Sequence, residues 1–307
     1  YKLRRTSLIK ILKDNNLIDD LIVFDRTKVS IPYILKFYKK LRANKYDLSI
    51  DFHGLFKSAF IVKLAGAKFK LASSSTNGMR ELSWLFSKEI KPEKQDSHCI
   101  ERHFAVAKYL GCPEDVLNYS ITVKDEEIEK MKNLLKKENI DLNKKIVAVH
   151  PGGGWISRRW QTEKFAELID LLNEQFEINV VLIGGKEGGA SEKGLNEEII
   201  LKSRTKKITD LTGKFNLTEL MAFFKVCSVF VANEAGPMHI ATALGVNAVA
   251  VLGPTNARRT GPFKGNTVII QKKVECQPCR NRTCTKVDCM KLISVEEVFE
   301  AVKKKLF

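Results

Sequence analysis

The residues best equipped for chemistry sit in short, glycine-bearing blocks. In Val231–Ala241 an apolar run gives way to Glu234, Ala235, Gly236, Pro237, Met238 and His239. Proline suits the first turn of a helix, where its missing N–H loses nothing. A helix is therefore expected to start at Gly236–Pro237, and its unpaired amides and dipole make an anion site. A carboxylate at Glu234 would repel a phosphate. Its expected role is to accept hydrogen bonds from sugar hydroxyls beside one. His239 falls in the first turn, placed to donate to a phosphate or a sugar. The plainer alternatives are that Glu234 caps the helix and that His239 packs in the core.

Other blocks have the same form. His150–Trp160 carries three glycines, Gly152 to Gly154, then Arg158 and Arg159. Glycine lets backbone pass close to a ligand, and guanidinium matches phosphate in a bidentate fork. The alternative is a solvated basic loop with two packing tryptophans. Gly184 and Gly185 open a turn that lacks the Lys-Ser/Thr ending of a Walker loop; a bland strand-to-helix turn is about as good a reading. Asp210–Phe215 would bring Thr212 near a base or ribose, or is an ordinary turn. Gly253–Pro262 adds Thr255 and Arg258, or is a rigid connector. Asp51–Ser58 carries His53 and Lys57 at a strand end, where His53 would contact an acceptor, assist proton transfer, or merely hold a helix start.

Four cysteines, Cys276, Cys279, Cys284 and Cys289, follow a C-x2-C-x4-C-x4-C pattern. Thiolates at such spacing suit tetrahedral zinc or an iron–sulfur centre, and only one pair is tight. A structural metal and a metal-free, redox-sensitive cluster are equally expected, and a catalytic metal is not. The remaining three of the seven cysteines are scattered, which argues against a disulfide framework.

The elements that must position these residues alternate. Strands are expected at Leu21–Phe24, Leu48–Asp51, Tyr119–Thr122, Ile146–His150, Val180–Ile183, Val229–Ala232 and Ala248–Leu252. Between and around them, helices are expected at Leu3–Leu12, Tyr33–Arg42, Leu55–Ala65, His103–Leu110, Glu126–Lys137, Lys164–Leu172, Leu217–Lys225, Met238–Leu244 and Val295–Lys305. Such alternation means parallel sheets with crossover helices. Two series meet at the polar linker Asn139–Lys145, so the reading is α/β, two doubly wound Rossmann-like domains, 1–143 and 144–307. Length supports two domains, since single cores stop growing near ~250–300 residues. Ligands of open parallel sheets bind outside the carboxyl ends of the strands, where every block above falls.

Composition narrows the class. The chain has 307 residues, 44% of them apolar, with 52 Lys+Arg against 36 Asp+Glu. That apolar share excludes wholesale disorder, and no run reaches the ~18 apolar residues of a spanning helix. The net charge of +16 fits nucleic acid, an anionic membrane face or a phosphorylated substrate.

Taken in order, these motifs resemble glycosyltransferase family 9, the ADP-heptose:lipopolysaccharide heptosyltransferases. Six segments carry the likeness: Tyr46–Ser58, His150–Trp160, Val180–Gly185, Asp210–Lys214, Asn233–Ala243 and Gly253–Pro262. The C-terminal Cys-x-x-Cys stretch also looks like that of some members. The resemblance implies a GT-B fold, with the acceptor on the first domain, the donor on the second, and the last helix returning toward the first. It implies inverting transfer of a heptose from an ADP-sugar to the phosphorylated inner core of lipopolysaccharide, by a cytoplasmic enzyme that visits the anionic inner face of the membrane. Arg158 falls where the family places a basic residue on the donor diphosphate. Glu234 matches a sugar-contacting acid. The amides of Ala235, Gly236 and Met238 would hold the phosphates, His239 matches the motif histidine, and Gly184, Gly185 and Thr212 complete the donor set. No Asp-x-Asp metal motif is present, and no cofactor is required.

Two departures stand out. The family has Asp followed by Thr or Ser where this chain has Glu234–Ala235, which bears on the donor sugar. The family's proposed base, an Asp in a first glycine-rich loop, has no counterpart here. The chain begins at Tyr1, and the base is expected upstream of it. The competing readings are a transferase or epimerase using another sugar nucleotide, a non-catalytic family member, and a basic nucleic-acid-binding protein. The last is disfavoured because the lysines are spread through helices without interleaved exposed aromatics.

Overall fold

The structure is a computed structural model. It describes residues 9, 12, 17–25, 27, 30–74, 83–94, 96–114, 121–185 and 190–307, with backbone only at 190, 191 and 193. The expected helix Leu3–Leu12, apart from Ile9 and Leu12, lies outside the described residues, as do Tyr119, Ser120 and residues 186–189. The chain forms two compact units, one of Asp19–Asn118 and one of Tyr119–Phe307 with the described residues before Asp19.

The first unit opens with α1 (Ile31–Ala43), whose N-cap Ser30 accepts from the Tyr33 amide and whose first turn holds Pro32. There follow β1 (Leu48–Asp51), α2 (Phe56–Ala65), β2 (Phe69–Ser73), β3 (Lys88–Ile90) and α3 (Cys99–Tyr109). The three strands pair in parallel in the order β1-β2-β3. The expected strand Leu21–Phe24 is absent: residues 21–25 are irregular. Phe24 packs its ring against Tyr33 and Phe37 of α1, so aromatic packing takes the place of a ladder.

The second unit begins with α4 (Asp125–Lys137). It continues through β4 (Lys145–His150), α5 (Thr162–Gln175), β5 (Ile178–Leu182), α6 (Ala190–Lys202), β6 (Ile208–Asp210) and α7 (Leu217–Val226). The rest comprises β7 (Val229–Asn233), α8 (Gly236–Ala243), β8 (Ala248–Leu252), α9 (Ala257–Thr260), β9 (Thr267–Gln271), α10 (Asp288–Lys291) and α11 (Val295–Leu306). All six strands are parallel, in the order β6-β5-β4-β7-β8-β9. This is the doubly wound order, and it reverses between β4 and β7.

Burial explains the strand patterns. Every residue of β7 and β8 is buried, and so is β4 after Lys145, as expected when helices cover both sheet faces. On one face, Phe165, Leu168, Ile169 and Leu172 of α5 fall at i, i+3, i+4 and i+7 and meet Val295, Val298, Phe299 and Val302 of α11. On the other, Met131 and Leu135 of α4 join Phe223, Phe224 and Met238.

Two expectations shift here, and the place of the last helix is defined. The unit boundary lies near residue 119, not at 143/144, because α4 buries its apolar stripe against α7 of the second unit. The expected strand Tyr119–Thr122 is not formed at Ile121 and Thr122; the Ile121 amide instead donates to the Ala243 carbonyl at 3.1 Å, at the end of α8. The last helix packs into the core of its own unit, because a four-residue apolar stripe must be buried where α5 offers its match. Leu135→Ala should therefore cost about 2–5 kcal/mol in urea unfolding of the full chain. A cost below about 1 kcal/mol would contradict the place of α4 in this core.

Candidate functional site

The reversal between β4 and β7 leaves a crevice at their carboxyl ends, because the chain departs from the two strands in opposite directions. One buried side chain bridges it. Asn233, the last residue of β7, is fully buried. Its Nδ2 donates to the Pro151 carbonyl at 2.7 Å, and its Oδ1 accepts from the Trp160 amide at 3.1 Å. Both ends of the Pro151–Trp160 loop are thus held to β7.

That loop presents Arg158 at the end of a 3-10 turn, Ile156–Arg158. The guanidinium lies 3.8 Å from the centre of the Trp155 ring, a stacked cation–π arrangement. Arg158 Nε is buried without a hydrogen bond, 3.5 Å from a carboxylate oxygen of Glu234. Glu234 is itself 3% exposed. Thr255 donates to its Oε2 and Thr260 to its Oε1 at 3.2 Å. The carboxylate is therefore turned inward, with both oxygens engaged. In this position it faces Arg158 and the two threonines.

Helix α8 starts at Gly236, with Pro237 in its first turn and Ala235 as N-cap, and no side chain caps it. Gly236 is exposed, and a Cβ there would meet nothing within 4 Å. An uncapped, open helix start is suited to an anion. The expected amide set is corrected at Met238: its N–H bonds to the Ala235 carbonyl at 3.2 Å, and its side chain is buried in the core. His239 is half-buried in the first turn.

The glycine turn after β5 is occupied by the protein itself. The Gly185 amide donates to Glu192 at 2.7 Å, and the Gly184 carbonyl accepts from the Gly213 amide at 2.9 Å. The Thr212 hydroxyl donates to Asp210 and accepts from Asn196, so neither Gly185 nor Thr212 offers its polar group outward. A Cβ on Gly184 would come within 3.1 Å of the Thr212 methyl, which is the reason for glycine there. Nearby, His150 is buried with Nδ1 unpartnered and Nε2 3.9 Å from Glu192. Burial pushes its pKa below the ordinary histidine value, and the Glu192 charge only partly offsets this.

In the first unit, Asp51 organises the strand end. Its carboxylate accepts from the His53 amide at 2.8 Å, the Gly54 amide at 3.1 Å and the Ser58 hydroxyl at 2.9 Å. This fixes the turn at Gly54, whose φ of 65° favours glycine. The imidazole of His53 and Lys57 are exposed. Sequence reasoning missed a second histidine at this strand end. His103 Nδ1 lies 2.9 Å from Ser73 Oγ, and the Ser73 proton goes to the Arg102 carbonyl at 3.1 Å. Nδ1 of His103 is therefore the donor, and Nε2 carries the lone pair. Burial lowers the His103 pKa and favours that neutral form.

The four clustered thiols are unequal. Cys276 is exposed and Cys289 buried in the core. Burial and the nearby Cys276, Cys284 and Cys279 push the Cys289 pKa up. Among the described residues, no group of three or more His, Cys, Asp or Glu side chains is arranged to hold a metal ion. Cys289 packs behind Gly253, where a Cβ on that glycine would meet its Sγ at 3.5 Å. Its loop leans on the crevice. Cys279 donates its amide to the Pro254 carbonyl at 2.7 Å, and Ser157 donates to the Asn281 carbonyl at 2.8 Å.

A six-stranded doubly wound sheet with an arginine and an open helix start at its reversal defines a nucleotide-binding α/β unit of the kind paired in GT-B proteins. Comparison with known proteins makes the class specific. Residues 34–289 match glycosyltransferase family 9 (heptosyltransferase), and the chain belongs to that family. It is 29% identical to a lipooligosaccharide heptosyltransferase 2 of Campylobacter jejuni, over 92% of this chain and 82% of the relative. It is 27% identical to lipopolysaccharide heptosyltransferase 3 of Escherichia coli K12, over 92% and 80%. A solved family 9 glycosyl transferase from Veillonella parvula superposes with a TM-score of 0.79 at 22% identity, over 98% of this chain and 86% of that one. The E. coli ADP-heptose LPS heptosyltransferase II gives 0.69 at 20% identity, over 88% and 80%. The GT-B fold and glycosyltransferase activity follow.

Two predictions arise from this geometry. Asn233→Ala orphans the Trp160 amide and the Pro151 carbonyl, and is expected to cost about 1–3 kcal/mol for each; a change within 0.5 kcal/mol in denaturant unfolding would remove the bridge from the argument. The second concerns His150. Its folded pKa lies below the unfolded value of about 6.5, so between the two the unfolded chain binds a proton that the folded chain refuses. Stability is then full above about pH 6.5 and declines as pH falls below it. His150→Gln should flatten that decline in unfolding curves at pH 5 and 7, and an unaltered decline would contradict the assignment.

Proposed function

We propose that this protein transfers a heptose from an ADP-heptose donor to the phosphorylated inner core of lipopolysaccharide, with inversion at the anomeric carbon. One observation carries the donor side: Arg158, stacked on Trp155 and aimed by Glu234, stands at the sheet reversal that also holds the uncapped start of α8. The acceptor hydroxyl attacks the anomeric carbon and gives up its proton to a general base, the bond from that carbon to the diphosphate oxygen breaks, and ADP leaves. Negative charge grows on the departing diphosphate. Preorganised donors aimed at developing charge lower the barrier because they need no rearrangement during the step. Arg158 and the Gly236 amide supply them. Glu234 acts through Arg158, and the Thr255 and Thr260 hydroxyls keep it in place.

The sugar nucleotide reading draws support from the solved E. coli heptosyltransferase WaaC, determined with ADP-2-deoxy-2-fluoro heptose, with a TM-score of 0.61. The first unit is proposed to receive the acceptor, with His53 as an exposed titratable group at the end of β1. Among the described residues no helix is long and apolar enough to cross a membrane. Peripheral contact with an anionic inner face is proposed through α1, where Ile31 and Leu35 are 77% and 54% exposed beside Lys36, Lys39 and Lys40.

The test is a donor screen with ADP-heptose, other ADP-sugars and UDP-sugars, run on the native chain and on Arg158→Ala. ADP-heptose should be turned over, and Arg158→Ala should weaken ADP binding by about 10–100-fold. Turnover only with a UDP-sugar would overturn the donor assignment, and unchanged ADP affinity in the variant would overturn the role of Arg158.

A further inference from the structure

The loop that bears the cysteines brings a second guanidinium to the ring on which Arg158 lies. Arg282 sits 4.8 Å from the centre of the Trp155 indole, and Arg158 sits 3.8 Å from it. The position is built rather than incidental. Between Cys276 and Cys284 the loop is fastened on both flanks of the crevice. On the β8 side, Gln277 Nε2 donates to the Gly253 carbonyl at 2.6 Å, and the Cys279 amide donates to the Pro254 carbonyl at 2.7 Å. On the β4 side, Ser157, the neighbour of Arg158, donates to the carbonyl of Asn281, the neighbour of Arg282. That single 2.8 Å bond couples the two arginine-bearing segments directly.

Two cations on one ring repel each other unless an anion lies within reach. The nearby carboxylate is Glu234, and it is consumed: it faces Arg158 and accepts from Thr255 and Thr260. Arg282 is exposed, and among the described residues no carboxylate pairs with it. The arrangement therefore carries one more positive charge than its own acids balance, next to the open helix start at Gly236. A nucleoside diphosphate brings two phosphates and more than one negative charge.

We propose that Arg282 is a second cation for the donor's diphosphate, delivered to the site by the cysteine-bearing loop. Arg158 and the α8 amides then hold one part of the anion while Arg282 closes on it from the loop side, with the indole of Trp155 keeping both guanidinium planes ordered. This rests on the reading of the crevice as a nucleotide-sugar site. It also gives the loop a reason to be anchored on both flanks of the sheet.

Calorimetry on the full chain tests it, with ADP and adenosine as probes. Arg282→Ala is expected to weaken ADP binding about tenfold, as for the loss of one charge-assisted hydrogen bond, and to leave adenosine binding unchanged. Arg282→Lys should recover only part of the loss, because an ammonium keeps the charge and lacks the planar fork. An ADP affinity in Arg282→Ala equal to that of the native chain would overturn the proposal. So would an equal loss of ADP and adenosine, which is the mark of a collapsed loop. Failure of the native chain itself to bind ADP would overturn the nucleotide-sugar reading, so the native control separates the two failures.

Discussion

A doubly wound sheet opens at its reversal because its two middle strands send their chains apart, and an opening made that way tends to gape. Here the carboxamide of Asn233 closes it at the base. Spanning from β7 to both ends of the loop after β4, it satisfies one backbone donor and one acceptor with a single buried side chain. The hold continues outward. Trp160, whose amide it binds, passes its indole N–H to the Ile293 carbonyl at 3.2 Å, and Lys164 adds a bond to that carbonyl at 2.6 Å. The residues that lead into α11 are thereby tied to the same loop. Arg158, Trp155 and the loop of Arg282 all hang from this chain of contacts, so their mutual geometry is set before any ligand arrives.

Electrostatics then selects what can enter. A half-buried arginine beside a buried glutamate is costly to desolvate unless further hydrogen bonds complete the pair. Thr255 and Thr260 supply them on the glutamate side, and on the arginine side the Trp155 face adds a cation–π contact. The family pattern of Asp followed by Thr or Ser keeps carboxylate and hydroxyl on adjacent residues. In this chain the hydroxyl partners are Thr255, in the β8–α9 connection, and Thr260, at the end of α9. The departure at Glu234–Ala235 is thus matched by residues some twenty positions further along, which a local motif comparison does not see.

Much of this was legible in the sequence. The strands β1 and β8 and the start of α8 at Gly236 were predicted at the residues where they occur, because alternation in β1, a continuous apolar run in β8 and a first-turn proline are local signals. Strands β2, β3, β6 and β9 were not, since they are short or only half-buried and their pattern is interrupted by Lys, Asp or Thr. Helix α6 shows little helical apolar periodicity in a run dense with Glu and Lys. The positions of Arg158 and Glu234 were readable from the strand-end rule. Which way Glu234 points, the consumption of the Gly185 and Met238 amides, and the pairing of His103 with Ser73 were not. Each depends on a partner far off in sequence or on backbone geometry at the turn.

The amides that turn out to be engaged sharpen the site. With Gly185, Met238 and Thr212 satisfied internally, the glycine turn after β5 is a brace: Glu192 of α6 holds it, and Asn196 of the same helix ties in the turn after β6. The open polarity is left on one side of the reversal, at Arg158, Gly236 and the cysteine-bearing loop. In the proposed site an anion would be met by groups that are already held, Arg158 by Trp155 and Glu234 and the helix start by Pro237. Such fixed donors gain most when charge increases during reaction, because no protein reorganisation is spent in meeting it. A diphosphate that leaves with an added negative charge is an anion of that kind. A neutral sugar hydroxyl is not, and this is why the inward turn of Glu234 fits a site shaped around the departing group.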